Sequence, residues 1–485
     1  MASQSNGQKR SITIQNQGAG HSSTLTLTGD ILRVRREEWK DIQVPVRNVV
    51  WSEYVDGKLE VSVLAKRGKN ASFSLVRLTT AVDEAQREAV TEFVDALTKL
   101  SYRGPQKPRR LKVLINPHSG PGKAPLLFKR KVEPLFRAAR CELDITYTTR
   151  RNHAADLMQD IPLGTYDAVV VISGDGLIHE VLNGFAQHKN PLAAFRIPVA
   201  PIPAGSGNAL ALNLLGLEEG VDVSTAALNA VKGRAIPFDL FSFVQKDTRV
   251  FSFFSQCVGL MAELDLWTEH LRFLGSGRFV VGYLTGIIKR KACPVKIHIK
   301  VGQSDKDAIY KTFREERAKA LEASHREIDD SSEEDPIPSE STIPPLRYVS
   351  VKPEEEEGWI SFEKATSFFY AGNGPYVSVD LMQFPAALPG DGYIDVVIHE
   401  QVSRGKMLSA MDEASAGAGF WLPEQHYFKA EAYRIEPLST NSCLSVDGEG
   451  FDFEPFHVEV HKGLARVLSP YGYYNADFFP KSSPS

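Results

Sequence analysis

Cysteine is scarce in this chain: four in 485 residues (Cys141, Cys257, Cys293, Cys443), far apart and never spaced CxxC. That pattern excludes a disulfide scaffold, offers no zinc-ligand spacing and suits a reducing compartment. Long apolar runs are missing too. The longest uncharged one, residues 279–288, falls well short of the roughly 20 residues that span a bilayer. The start, MASQSNGQKRS, lacks the apolar core of a signal peptide. No charge sign dominates: 56 Lys+Arg stand against 60 Asp+Glu, a formal net charge of −4. A dedicated nucleic-acid binder would be strongly basic, so no nucleic-acid partner is expected. These absences predict a cytosolic protein that touches membranes without crossing them. What is present is ordinary globular material, 42% hydrophobic and 24% charged, enough for more than one core. The length predicts about three domains.

Residues 1–22 are rich in Ser, Gln, Asn and Gly and are expected to be disordered. Alternating or β-branched segments at 23–28, 31–35, 42–46, 49–54, 58–65 and 71–78 then read as strands. Apolar positions Ala85, Ala89, Val90, Phe93, Leu97 and Leu100 recur at helical spacing. Together they predict a β-rich domain over 23–102 closed by a helix, an order that resembles a pleckstrin-homology-like domain. A basic linker follows at 103–110. From 111 to 237, buried strands at 111–116, 143–148, 166–173 and 197–203 alternate with helices at 124–139, 153–159 and 177–186. That alternation indicates a doubly wound α/β domain with a mostly parallel sheet. From 238 to 475 the text is strand-rich and predicts an antiparallel β-sandwich, with a tail at 476–485. Residues 302–358 interrupt it with 16 acidic and 8 basic residues. They are expected to form a disordered insert, with a charged helix possible at 310–324. The rest of the chain is mildly basic, 48 against 44.

Three Gly-rich segments stand at strand ends: NPHSGPGK (116–123), SGDG (173–176) and PAGSGN (203–208). In an open α/β sheet, ligands bind beyond the carboxyl ends of the strands. Glycine there lets backbone N–H groups approach phosphate oxygens, and helix N-termini add partial positive charge. Each loop alone could be a tight strand–helix turn; the three on one sheet edge describe a nucleotide site. None is a P-loop or a convincing GxGxxG. Asp175, between two glycines, has two functional readings: holding Mg²⁺, or accepting the proton of an incoming hydroxyl. It could instead cap a helix. His179 and His153 are read as locally bonded and stay outside the catalytic set.

NPHSGPGKA, SGDGLIHEVLNG, PAGSGNALA and VDGEG (446–450) together resemble the diacylglycerol-kinase-like lipid kinase superfamily. More narrowly they resemble the sphingosine (long-chain-base) kinases of fungal type, over about 111–475. Ser173, where much of the superfamily has glycine, favours the narrower family. The resemblance implies ATP and Mg²⁺ as cofactors and Asp175 as the general base. It places nucleotide contacts at Asn116, Ser119, Gly120, Lys123, Thr148, Arg150, Ser173, Gly174, Gly176, Glu180, Gly205, Ser206 and Gly207. Arg272 and Arg278 fall at phosphate-contacting positions. Asp447 and Glu449 match a late acidic pair near nucleotide and metal, although Asp-Gly is also a plain hairpin signal. Metal ligands stay open, with the ion on the ATP phosphates near Asp175 or Asp447.

Ser255 and Asp265 fall where the family meets its substrate. A carboxylate among apolar residues needs a partner, and the ammonium of a sphingoid base would be one. The implied reaction is phosphorylation of the primary hydroxyl of sphingosine, sphinganine or phytosphingosine to the 1-phosphate. The alternatives are a diacylglycerol or ceramide kinase and, in another class, an inactive lipid-binding scaffold. Expected partners are the base, ATP and a transient membrane surface, endomembrane or plasma membrane, with a homodimer left open. The linker and the N-terminal domain are candidate docking surfaces. Ser331 and Ser332, in acidic context, are candidate phosphorylation sites.

Overall fold

The structure is a computed structural model that describes residues 9–15, 22–36, 41–66, 68, 71–103, 106–120, 122–267, 292–325, 342–409 and 414–479. Arg272, Arg278, Ser331 and Ser332 lie outside the described residues.

The α/β part begins with the strands Arg110–Ile115, Glu142–Tyr147, Ala168–Ser173 and Val199–Pro203. They pair in parallel with the second strand outermost, then the first, third and fourth. The first and third strands are near-continuous Val/Leu/Ile runs, and Val113–Ile115 and Val169–Ile172 are buried on both faces, as a helix-covered parallel sheet requires. The strand order reverses between the first and third strands, and a crevice opens beyond their carboxyl ends. The helix after the first loop contains a π-turn, Phe128–Val132, between Ala124–Leu127 and Glu133–Ala138.

The β-sandwich is not a separate sheet. The last long strand, Phe456–Ser469, pairs along Arg234–Gln245 and also lies parallel beside Val199–Pro203. A single 15-stranded sheet therefore runs through both halves. The chain's last strand thus returns to the parallel sheet of the α/β part. In a sequence read from left to right, an edge partner more than 250 residues later gives no local signal.

Two segments read as disordered contain ordered elements, the second of them the charged helix read at 310–324. Arg10–Gln15 is a strand paired with Ser22–Thr28; its Ile12 and Ile14 alternate with Ser and Thr, and Ile14 is fully buried. In the insert, Lys306–His325 is a 20-residue helix. Its Ile309 and Phe313 pack with Phe420 and Phe478 in the core of the sandwich's cleft side. The end of the insert is folded as well: the Glu459 carboxylate, buried on the sandwich, accepts from the amides of Arg347 (2.7 Å) and Tyr348 (2.5 Å). A charged segment with a sparse apolar stripe still folds when that stripe meets an aromatic cluster.

The N-terminal β-rich unit has sheets of four and three strands closed by the helix Arg87–Tyr102. Its Val50, Trp51 and Leu64 belong to the apolar core of the α/β domain. Polar contacts frame that junction. Lys232, at the end of helix Val223–Lys232, donates to Val49 O (2.7 Å) and Ser101 O (3.0 Å). Arg109 donates to Ala230 O (2.9 Å) and Gly233 O (2.6 Å). Arg103 and Arg234 donate to Ser324 O and Ala323 O, at the end of the insert helix. Each cation thus satisfies carbonyls left over at a helix C-terminus. Arg103 and Arg109 are thus held inside the fold, while Lys107 and Arg110 of the same linker are exposed.

Candidate active site

Three loops converge backbone on backbone. A Cβ on Gly205 would lie 2.5 Å from Gly174 Cα, one on Gly174 2.6 Å from Gly207 O, and one on Gly120 2.8 Å from Ala204 O. Only glycine permits this approach. Hydrogen bonds lock the contact: Asp175 N donates to Gly207 O (3.1 Å) and Ala204 N to Ser173 O (3.0 Å). Ser173 Oγ donates to Ser119 Oγ (3.2 Å). Asn208 and Gly205 exchange two bonds, 2.7 and 3.1 Å. Asn116, Ser119, Gly120, Ser173, Gly174, Gly176, Gly205, Ser206 and Gly207 all line one cavity of about 1090 Å³.

Asp175 opens the helix Asp175–Gln187 on the cavity floor. Its carboxylate accepts from Ala209 N (2.6 Å) and Leu210 N (3.2 Å). So it does cap a helix, Ala209–Leu215 after the third loop, and not the helix it begins. Burial raises its pKa, the two amides oppose that, and Asp447 and Asp265 add to it, leaving a value of about 6. It is thus mostly ionised near neutrality, yet a stronger base than a solvated aspartate.

Asp447 sits at the tip of the hairpin Leu444–Val446/Glu449–Phe451, with Gly448 beside it and both at positive φ, the requirement of a type I′ turn. Its side chain is fully buried. It accepts from Ser252 Oγ (2.8 Å), from the amides of Phe253 (3.1 Å), Phe254 (3.0 Å) and Ser255 (2.8 Å), and from His179 Nδ1 (2.8 Å). These donors saturate the carboxylate of Asp447, which lines the cavity as Glu449 does. Asp447 builds the turn that presents Ser255 to the cavity, and it has no lone pair left for a metal. Among the described residues no group of three or more His, Cys, Asp or Glu side chains could hold a metal ion. The described residues therefore do not form a protein-held Mg²⁺ centre.

Glu449 pairs with Arg151 across the cleft. Arg151 lines the cavity, whereas the expected Arg150 pairs with Asp156 and does not. Thr148 is buried against Ile115 O, and Lys123 is exposed; neither lines the cavity. Glu180 lines it while accepting from Ala154 N (3.1 Å). His153 stays local, accepting from Thr149 N (3.1 Å), but His179 faces the cleft. Sequence reasoning missed His179 because its partner lies 268 residues away.

The far half of the same cavity is apolar, with Met261, Leu264, Phe368, Tyr370, Leu381 and Met382. Phe251 and Phe253, just ahead of Ser255, belong to the α/β core. Asp265 lines this half, and its Oδ2 accepts from Ser445 Oγ (2.6 Å). A phosphate-binding end, an ionisable base and a carboxylate in an apolar chamber are thus continuous.

The diacylglycerol kinase catalytic domain family model matches residues 110–243, and the YegS C-terminal NAD kinase beta sandwich-like domain model matches 357–469. Sphingoid long chain base kinase 4 of Schizosaccharomyces pombe is 31% identical over 89% of this chain and 88% of its own length. Sphingoid long chain base kinase 5 of Saccharomyces cerevisiae is 31% identical over 80% of this chain and 63% of its own length. Sphingosine kinase 1 of Arabidopsis thaliana is 26% identical over 75% of this chain and 76% of its own. A crystal structure assigned as a diacylglycerol kinase from Bacillus anthracis superposes with a TM-score of 0.50 at 19% identity, covering 75% of this chain and 96% of that one; it bears on fold alone. With its glycine loops, Asp175 and sandwich in that family's order, the chain belongs to the sphingoid long-chain-base kinases.

Proposed function

We propose that the protein transfers the γ-phosphoryl group of ATP to the primary hydroxyl of a sphingoid long-chain base. The observation that carries this reading is the continuity of one cavity from the glycine loops, past Asp175, to Asp265 in an apolar chamber. The amides of the three loops hold the triphosphate. Mg²⁺, arriving on the nucleotide, neutralises phosphate charge. Asp175 accepts the hydroxyl proton as the O–P bond forms and ADP departs with the electron pair of the broken bond. Asp265, oriented by Ser445, binds the ammonium next to that hydroxyl, while the alkyl chain lies among Leu264, Phe368 and Met382. Neutral diacylglycerol and ceramide bring no cation to Asp265.

The base must be drawn from a bilayer, so the protein works at a membrane surface from the aqueous side. No helix among the described residues is long and apolar enough to cross one. Phosphate transfer from labelled ATP to sphinganine, phytosphingosine, diacylglycerol and ceramide in matched micelles tests the reading. Turnover of the bases is expected, and Asp265→Asn should raise their KM at least tenfold. Preference for a neutral lipid, unaffected by Asp265→Asn, would sink it.

A further inference from the structure

His179 is four residues beyond Asp175 on the helix Asp175–Gln187, one turn along the same face at a Cβ separation of about 6 Å. Its ring lines the cavity, and its side chain is 15% exposed. Nδ1 is fixed by Asp447 at 2.8 Å. Asp447 cannot turn away, because four further donors from residues 252–255 hold it. Nε2 has no partner among the described residues. An imidazole anchored at one nitrogen by a buried carboxylate presents the other in a set direction and tautomer. Here that direction is into a cavity built to take a triphosphate.

The charges around the ring favour a cation. Asp447 and Glu449 come from the hairpin, and Glu180 from its own helix, with Asp175 a turn away. Helix His153–Gln159 brings the Ala154 amide to Glu180, the turn before it brings Arg151, paired with Glu449, and strand Thr248–Ser252 brings the Phe251 backbone to Asn183 and the Ser252 hydroxyl to Asp447. Arg249 on that strand is turned to Ser242 and His461. Burial pushes the imidazole's pKa down, but the Asp447 hydrogen bond and charge, with Glu449 and Glu180, outweigh it and hold it above the ordinary value.

We propose that His179 is a catalytic residue, an imidazolium held by Asp447 whose Nε2–H hydrogen-bonds the phosphoryl group in flight. The proposal rests on the kinase reading above and deepens it. It gives the site two complementary groups on one helix face: Asp175 takes the proton from the acceptor, and His179 offsets negative charge on the transferred group. A fixed donor of this kind acts most where charge develops. No proton leaves His179 during the step.

The test is steady-state transfer to sphinganine by wild type and His179→Gln from pH 5.5 to 9, beside NMR titration of the His179 C2–H in wild type with and without ATP. Expected are a kcat lower by about 100-fold and a KM for ATP changed less than threefold. Wild-type kcat should fall as pH rises through the imidazolium pKa, and that limb should vanish in His179→Gln. The NMR pKa should exceed 6.5 and the resonance should shift on adding ATP. A variant with wild-type kcat, or one slowed with its alkaline limb intact, overturns the proposal. If wild type phosphorylates no base, the kinase reading fails, and the ATP-induced shift alone decides: a silent resonance sinks His179 as well.

Discussion

Asp175 shows what one residue's surroundings add to its identity. Its sequence context, an acid between glycines at a strand end, was enough to mark it. Its pKa of about 6 was not legible, because it comes first from burial and then from Asp447 and Asp265, which approach from the other half of the chain. Two pH effects of opposite sign follow. The raised pKa favours the protonated form in the folded state, so the stability it contributes is full below the unfolded value of 3.8 and is lost as pH rises through about 6. Catalysis needs the ionised form, so kcat/KM should fall below about pH 6. Asp175→Asn should lower kcat by roughly 10²–10⁴-fold and abolish that acid limb. A rate profile from pH 5 to 8 checks both; an unmoved limb would assign it to another group. His179 carries the reverse lesson, since a lone histidine on a helix gives no hint of a carboxylate 268 residues away.

The elements around the site differ in how well they could be read. The loops and the helices after them were legible because glycine, β-branched runs and helical spacing are local signals. The packing of loop on loop was not: nothing local says that Gly205 touches Gly174. Gly205→Ala places a Cβ 2.5–2.6 Å from the Gly174 backbone, which no side-chain adjustment relieves. The two loops must separate, and the amides aimed at phosphate go with them. ATP affinity by calorimetry should weaken at least tenfold, with little change in the affinity for the base. Unchanged ATP binding would mean that the loops have slack the close contact does not show. The hairpin over 444–451 was visible as Asp-Gly. Its use was not: Ser445 holds Asp265, Asp447 holds His179, and Glu449 holds Arg151. Alternate residues of one small element therefore tie Asp265, His179 and the cleft wall together.

At the scale of the whole molecule, the order of three regions was legible and their union was not. Composition shifts mark where texture changes, but they say nothing of a last strand that rejoins the first domain or of apolar residues shared across a junction. Val50, Trp51 and Leu64 complete the α/β core, so the N-terminal unit is structural. Removing residues 1–105 should leave a kinase that is largely insoluble or melts at least 5 °C lower, exposing apolar surface that binds a hydrophobic dye. A soluble truncated protein with wild-type Tm would show the unit to be detachable.

At the meeting of the helices Arg87–Tyr102, Val223–Lys232 and Lys306–His325, every cation serves a neighbour's carbonyls. Lys232 closes the N-terminal helix, Arg109 from the linker closes the helix of Lys232, and Arg103 with Arg234 closes the insert helix. Loss of any one segment strands either a buried cation or a row of bare carbonyls in another. Three stretches of text that look like independent additions are thus interlocked in the fold. They form one unit, and the insert helix carries it to the aromatic cluster of Phe420 and Phe478.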